Sequence, residues 1–413
     1  MIWSNGSTGL TNRPGSSRSL MDERDKPGAS GATQAVFASI LGLLLATGWV
    51  ANHFVALMPL ISVHQHLSTP TLDAIFGIYA VGLLPGLLIG GRASDALGRR
   101  SVALAGSTTA LVGTVAMLLS QQTDVLLVGR LIVGLGVGLV MTSCTAWASD
   151  LKGPAGAAAA GAVLTAGFAI GPFAGGVIGW AGQSGIGVSF GVAAAIVMVA
   201  TFATIVAAQR ADVRSPATAH DSEPSTPQGT ARALSWALPL APWVFASATL
   251  GFVTIPTRVH TGLAAPMAAG TAALIVNGTS GLIQGVARAG RWGPQAGTIG
   301  AVLAALGYTV TAVAPLTMTP ALSLPVFLVL GCASGLLLRE GLIDLEAAAP
   351  QRLRGALTGV FYVVTYVGFS LPLILATVGS ATSAVILSVM AVLASATAVS
   401  RAVRLRRDAH RQS

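Results

Sequence analysis

The chain has 413 residues, of which 53% are hydrophobic and only 9% charged, and 50 are glycine. A water-soluble domain cannot hide that much apolar surface, because surface grows too quickly relative to volume, whereas a bilayer solvates apolar side chains directly. The net charge of +9 would suit nucleic acid, but its distribution argues against that, and the two cysteines, Cys144 and Cys332, lie in apolar runs that fit neither a disulfide framework nor a zinc site.

In chain order, residues 1–34 are polar and rich in Gly, Ser and charge, the composition of a disordered tail, and no cleavable signal peptide is expected. Met21, ahead of Asp-Glu-Arg-Asp, reads as a second candidate start, which N-terminal sequencing of the native protein tests. Apolar runs follow at 35–60, 72–90, 101–120, 124–150, 155–180 and 186–208, each near or above the roughly 20 residues a crossing needs. A polar stretch at 209–232 precedes six more, at 233–257, 263–286, 297–316, 321–346, 355–378 and 380–402, and a basic tail occupies 403–413. The expectation is an all-α membrane protein of twelve transmembrane helices in two six-helix bundles, 35–208 and 233–402, joined by a cytoplasmic linker.

The halves are related. Gly86-Leu-Leu-Ile-Gly90, continuing to Gly98, matches Gly281-Leu-Ile-Gln-Gly285, continuing to Gly293. Gly167-Phe-Ala-Ile-Gly-Pro172 in span 5 matches Gly368-Phe-Ser-Leu-Pro372 in span 11. Two related six-helix halves joined by a polar linker are the parallel-repeat plan of a secondary transporter. With both termini placed in the cytoplasm, all of the 23 Lys and Arg residues except Arg130, Arg258 and Arg339 fall on that side, Arg401 being counted with the tail. Cytoplasmic loops carry this excess in membrane proteins. Cationic loops beside anionic lipid also account for the basic balance without nucleic acid.

Several positions stand out in these spans. Span 1 holds no acid, only Asn52 and His53, and Tyr79 on span 2 and Arg130 on span 4 sit at similar depth. A charge inside a span is costly and is a functional candidate by default. Either these residues line one polar pocket in the outer half of the N-terminal bundle, or Arg130 snorkels to water or Asp124. Between spans 2 and 3 stands Gly91-Arg-Ala-Ser-Asp95-Ala-Leu-Gly98-Arg99-Arg100. Gly91 and Gly98 permit a tight turn. Asp95 can sit at the positive N-terminal end of a helix in the other half, span 11 near Gly355 being the candidate. Arg99 or Arg100 can reach Asp150 at the inner end of span 4; the plain alternative is a basic loop serving only topology.

Arg130 is followed by Gly134, Gly136 and Gly138, a packing face and not a nucleotide loop, since no strand precedes it. Span 5 carries Gly167-Phe-Ala-Ile-Gly171-Pro172-Phe-Ala-Gly175-Gly176. Pro172 removes a backbone donor and bends the helix, and the glycines allow close contact, in a moving seam or in ordinary packing. Asn277 and Gln284 on span 8, with Tyr362 and Tyr366 on span 11, offer hydrogen bonds to a cavity or between helices. Span 10 ends with Arg339-Glu340, Asp344 and Glu346, and Glu340 and Asp344 share a face where like charges repel. Either one carboxylate is protonated, or Arg339 and a cationic loop compensate, or the span ends earlier and these charges are solvated.

The segment from Gly91 to Arg100, the Arg130–Gly134 pair and the span 5 segment resemble three motifs of the major facilitator superfamily, and the resemblance covers residues 35–402. It implies that Gly91, Asp95, Gly98, Arg99, Arg100 and Asp150 form a cytoplasmic latch favouring the outward-open state. Ala96 stands where a basic residue is usual, which predicts a weaker latch. The span 5 motif is similar to that of the family's exporters, the twelve-span drug–proton antiporters above all. The resemblance thus implies a secondary active transporter working by alternating access, exporting a hydrophobic or amphipathic small molecule as protons enter, with a cavity near the midplane where spans 1, 4, 7 and 10 meet.

On that reading Asn52, His53, Tyr79, Arg130, Asn277, Arg339, Glu340 and Asp344 line the substrate or proton pathway. The proton carrier is one of His53, Glu340, Asp344 and Asp73, among which the sequence does not choose. The partners are small-molecule substrate, protons and membrane lipid. The protein is expected as a monomer in the inner membrane of a bacterium, whose GC-rich genome the Ala and Gly content suggests. No nucleophile–base pair, metal cluster or nucleotide loop is apparent, so neither an enzyme nor a cofactor is expected. Two alternatives stay open: a metabolite carrier for a sugar or organic acid, for which Arg130 would be the counter-charge, and a non-transporting membrane sensor or partner-binding protein.

Overall fold

The computed structural model describes residues 27–211, 227–348 and 354–412. They are almost entirely helical, because a chain in lipid must satisfy its backbone N–H and C=O groups within each segment. Among them eleven helices are long and apolar enough to cross a membrane: Gly31–Gln65, Thr69–Leu97, Arg99–Leu119, Thr123–Gly153, Ala155–Gly179, Gln183–Arg210, Gly229–Arg258, Gln295–Val313, Pro320–Ala348, Leu357–Thr377 and Ser380–His410. The helix Ala265–Ala289 is the remaining long one, of 25 residues; its Thr, Asn, Ser and Gln side chains leave it less apolar than the others. We number these spans 1 to 12 in chain order, Ala265–Ala289 being span 8.

Several ends differ from the sequence expectation. Residues 27–34, inside the stretch 1–34 read as a tail, are helical; residues 1–26 lie outside the described residues. The expected linker 209–232 is helical up to Ala211 and again from Pro227, while 212–226 lie outside the described residues. The last helix runs to Gln412 through the expected tail, since no Gly or Pro interrupts it after Ser380. Gly91 is not in a turn: span 2 continues to Leu97, so the reversal falls on Gly98 alone, whose φ of +90° an L side chain would resist. Spans 4 and 5 form one helical run broken only at Lys152 and Gly153, the latter at φ +60°.

Within the N-terminal half, span 4 packs against spans 2 and 3, and span 5 against span 1. Within the C-terminal half, span 9 packs against spans 10 and 12, and spans 7 and 8 against span 10. The halves meet along two lines. Span 5 lies against span 8, with Gly176 beside Pro266 and Pro172 beside Gly270. Span 2 lies against span 11, where Phe76 stacks on Phe369 with ring centroids 5.1 Å apart.

Such backbone-to-backbone approach fixes where small residues are obligatory. At Gly171 a methyl group would stand 2.7 Å from the Trp49 Cα and 2.8 Å from its carbonyl oxygen, so one helix would have to move. At Gly187, also inside a helix, nothing lies within 4 Å. Gly171→Ala is therefore expected to lower stability in detergent by about 1–3 kcal/mol through overpacking. Gly187→Ala should leave it unchanged or raise it by up to about 1 kcal/mol. Paired thermal melts check this, and equal melting points for the two variants would contradict the packing described.

Candidate functional site

Three spans depart from regular helix at the level where the halves meet. Span 1 breaks at His53, between the helices Pro27–Asn52 and Phe54–Gln65. Span 7 widens into a π-helical turn at Leu250–Thr254 and tightens into a 3-10 turn at Ile255–Arg258. Pro256 cannot donate to the Phe252 carbonyl, which accounts for the change of pitch there. Span 11 has a 3-10 turn at Val367–Ser370, just ahead of Pro372. Spans 1 and 7 are the first helices of the two halves, and paired interruptions of this kind point to a binding region in repeat-built transporters.

A cavity of about 610 Å³ lies against these breaks, lined by residues of spans 1, 2, 7, 8 and 11 that include Met58, Asp73, Phe252, Arg258, Ala269 and Leu375. It sits toward the end of the bundle that carries the 66–68 and 259–264 loops, not at the midplane between spans 1, 4, 7 and 10 as expected. Aromatic packing explains the shift. Phe252 lies edge-on to Phe76 at 6.2 Å, and Phe369 is within 5.2 Å of Phe76, Phe245 and Tyr366. Tyr79 and Tyr362 extend this group of rings, which fills the middle of the interface.

Below the cavity, Asn52 and Asn277 converge on one backbone atom. Pro172 has no N–H to offer the carbonyl of Phe168, four residues earlier. Asn52 Nδ2 of span 1 donates to that oxygen at 3.5 Å, and Asn277 Nδ2 of span 8 donates to it at 3.3 Å. At the repeat-related proline, the carbonyl of Gly368, four residues before Pro372, accepts the Leu371 N–H of the 3-10 turn and, at 3.0 Å, the Thr249 hydroxyl of span 7. Asn277 thus ties the halves at the proline of the span 5 motif. Gln284 donates to the Ser280 carbonyl of its own helix.

Arg130, fully buried, neither snorkels nor reaches Asp124. Its Nη1 donates to the Ala51 carbonyl at 2.9 Å, and its guanidinium lies over the rings of Tyr79 and Phe54 at 4.5 and 4.9 Å. Arg130 Nε and Nη2 and the Tyr79 hydroxyl lack a protein partner. Two desolvated cation–π contacts supply about 2 kcal/mol each, less than the several kcal/mol that burying an unpaired charge costs. His53 turns the other way, edge-on to Phe190 of span 6 at 5.3 Å, with Nδ1 on the Val50 carbonyl at 3.1 Å and Nε2 unpartnered.

At the end of the bundle that carries both termini, Arg99 bridges Asp95 at 2.5 Å and Asp150 at 3.0 Å and donates to the Ser94 hydroxyl at 2.7 Å. Arg99, not Arg100, makes the pair, and residues 349–353, beside the expected helix end near Gly355, lie outside the described residues. In the other half Glu340 is buried, not solvated. It pairs with Arg339, while Arg401 of span 12 binds Asp344 at 2.5 Å, stands 3.8 Å from Glu340 and donates to the Pro294 carbonyl. Charge counting placed Arg401 in the tail and missed it; the only signal was its position one residue before the expected end of an apolar run.

Residues 38–373, more than half of the chain, match the model of the Major Facilitator Superfamily. Monosaccharide-sensing protein 2 of Arabidopsis thaliana is 35% identical over 129 residues, 30% of this chain and 17% of that protein. Multidrug resistance protein MdtL of Citrobacter koseri is 32% identical over 108 residues, 26% of this chain and 27% of that protein. In both cases the match spans less than a third of the relative's length. A peptide transporter of the POT family, solved in complex with sulfate, has a TM-score of 0.73 at 13% identity, covering 89% of this chain and 94% of that chain, a likeness of fold.

Two outcomes follow from these contacts. Asn277→Leu should destabilise the protein by about 1–3 kcal/mol by leaving the Phe168 carbonyl with only the longer bond from Asn52. The same change in a Pro172→Ala background, where residue 172 regains an N–H, should cost much less. A double-mutant cycle on melting in detergent checks this, and additive effects would contradict it. Arg401→Gln should cost about 3–5 kcal/mol, since it leaves the largely buried Asp344 carboxylate without its cation, while Glu340 keeps Arg339. Arg99→Gln should cost no more than about 1 kcal/mol, because Asp95 and Asp150 are 66% and 43% exposed. Equal losses for the two arginines, measured by the same melts, would overturn this ranking.

Proposed function

The chain belongs to the major facilitator superfamily, a multi-pass membrane transporter, and on that premise we propose that it exports a hydrophobic or amphipathic small molecule by alternating access as protons enter. The observation that carries this reading is the Asn52–Phe168–Asn277 junction: the proline motif similar to that of the family's exporters lies on the seam between the halves, with its free carbonyl shared by both. A helix bent and held from two sides in this way is suited to act as the bearing on which the halves rock. The partial match to a multidrug resistance protein supports the substrate class.

With both termini in the cytoplasm of a bacterium and the chain in the inner membrane, the cavity faces outward. Arg99 with Asp95 and Asp150 then latches the cytoplasmic side, and the aromatic rings separate the cavity from it. The protein works as a monomer, and protons travel by way of Asp73, His53, Glu340 or Asp344. Asp73 is the member of that set lining the cavity. Glu340 and Asp344 are committed to Arg339 and Arg401.

The second reading, a metabolite carrier, is favoured by the match to a monosaccharide-sensing protein and by Arg130, which is buried without a carboxylate to neutralise it. The test is accumulation of a lipophilic amphipathic dye inside everted vesicles, energised by a proton gradient, with and without the protein. Gradient-dependent flux that collapses with Asp95→Asn supports the antiporter with its latch. Failure to move any of a panel of such dyes, together with uptake or exchange of a sugar or organic acid that is lost on Arg130→Lys, would replace it with the metabolite carrier.

A further inference from the structure

The cavity carries two charges that the junction and the latch do not use. Asp73, in the second turn of span 2, is 5% exposed and lines the cavity, and among the described residues its carboxylate has no ion pair within 4.0 Å and no hydrogen bond. A carboxylate so far removed from water is costly unless something neutralises it. Arg258 lines the same cavity from the other half, half-buried at the end of the 3-10 turn of span 7, and among the described residues its guanidinium forms no ion pair either. Its backbone is pinned, because the Arg258 carbonyl accepts the Met318 N–H at 2.7 Å beside the bridge between Val259 and Met318. The two charges therefore face one space from opposite halves without neutralising each other.

Most of the remaining wall is apolar, with Val55, Met58, Leu72, Phe252 and Leu375 among its members. His260 also lines it but is exposed at the loop. With that histidine neutral the acid and the base cancel, so a ligand bearing only a positive or only a negative charge meets one attraction and one repulsion. A ligand bearing both meets two attractions, and a volume of about 610 Å³ is within the range of small-molecule sites. We propose that this cavity binds a zwitterionic amphiphile, its cationic group at Asp73 and its anionic group at Arg258, with its apolar body on the Met58, Phe252 and Leu375 wall. The proposal rests on the transporter reading and narrows its substrate class. Because the two charges belong to different halves, such a ligand also bridges the parts that must move together.

The test uses the purified full-length protein in detergent at neutral pH with no gradient, read by fluorescence anisotropy against detergent-only blanks. The probes are rhodamine B, which carries a xanthylium cation and a carboxylate, and its ethyl ester, which keeps only the cation. Wild type should bind rhodamine B about tenfold more tightly than the ester, the effect of one desolvated charge pair. Arg258→Gln should weaken rhodamine B about tenfold and leave the ester unchanged or tighter, so that the two converge. Asp73→Asn should weaken both probes.

Equal or tighter binding of the ester by wild type would overturn the proposal, and that comparison needs no variant to fold. An equal effect of Arg258→Gln on both probes, or no saturable binding of rhodamine B, would overturn it too. Vesicle flux separates this from the reading it rests on. Proton-driven dye efflux indifferent to both variants rejects the site and keeps the transporter, whereas binding as expected with no flux rejects the exporter and keeps the site.

Discussion

One unpaired backbone carbonyl organises the centre of this molecule. In lipid no water can satisfy a carbonyl released by proline, so Pro172 obliges the fold to bring a donor to the oxygen of Phe168. Asn52 and Asn277 do so from different halves, and the close contacts of Gly171 with Trp49 and of Gly176 with Pro266 bring their helices within reach. At Pro372 the 3-10 turn lets the Leu371 N–H reach the Gly368 carbonyl, and the Thr249 hydroxyl adds a second donor. The carbonyl released at Pro172 is thus held by specific side chains.

The two ends of the interface differ in kind. Toward the 66–68 and 259–264 loops the halves separate around a cavity with apolar walls and an unpaired acid and base. Toward the termini they are closed by aromatic rings, with guanidinium clusters beyond. Those clusters are unequal: Arg99 sits among partly exposed carboxylates, where pairing contributes little, whereas Arg401 holds carboxylates that are almost fully buried. The N-terminal half is therefore fastened at this end by interactions that cost little to break, and the C-terminal half by interactions that cost a great deal.

Arg130 shows how a buried charge is handled when no carboxylate is near. Its side chain is held by one carbonyl and two rings, which together do not offset its desolvation. The sequence marks it as unusual because charges inside apolar runs are rare, and it places Tyr79 at the right depth beside it. It does not indicate that His53, at the same depth, turns away toward Phe190.

By itself the sequence determined the helices, because the length of an apolar run and the need to satisfy its backbone internally leave one solution in a bilayer. It also determined the family, through motifs of fixed local spacing, and narrowed the partner of Asp150 to Arg99 or Arg100, between which the structure chose Arg99. Helix ends escaped it where polar residues continue a helix past the lipid, as at Leu97 and beyond 402. Only the tertiary structure decided which polar atoms meet: Asn277 with Phe168, Arg401 with Asp344, Asp73 and Arg258 across one cavity. Those pairs join residues from 57 to 185 positions apart, brought together by helix packing that no local pattern encodes.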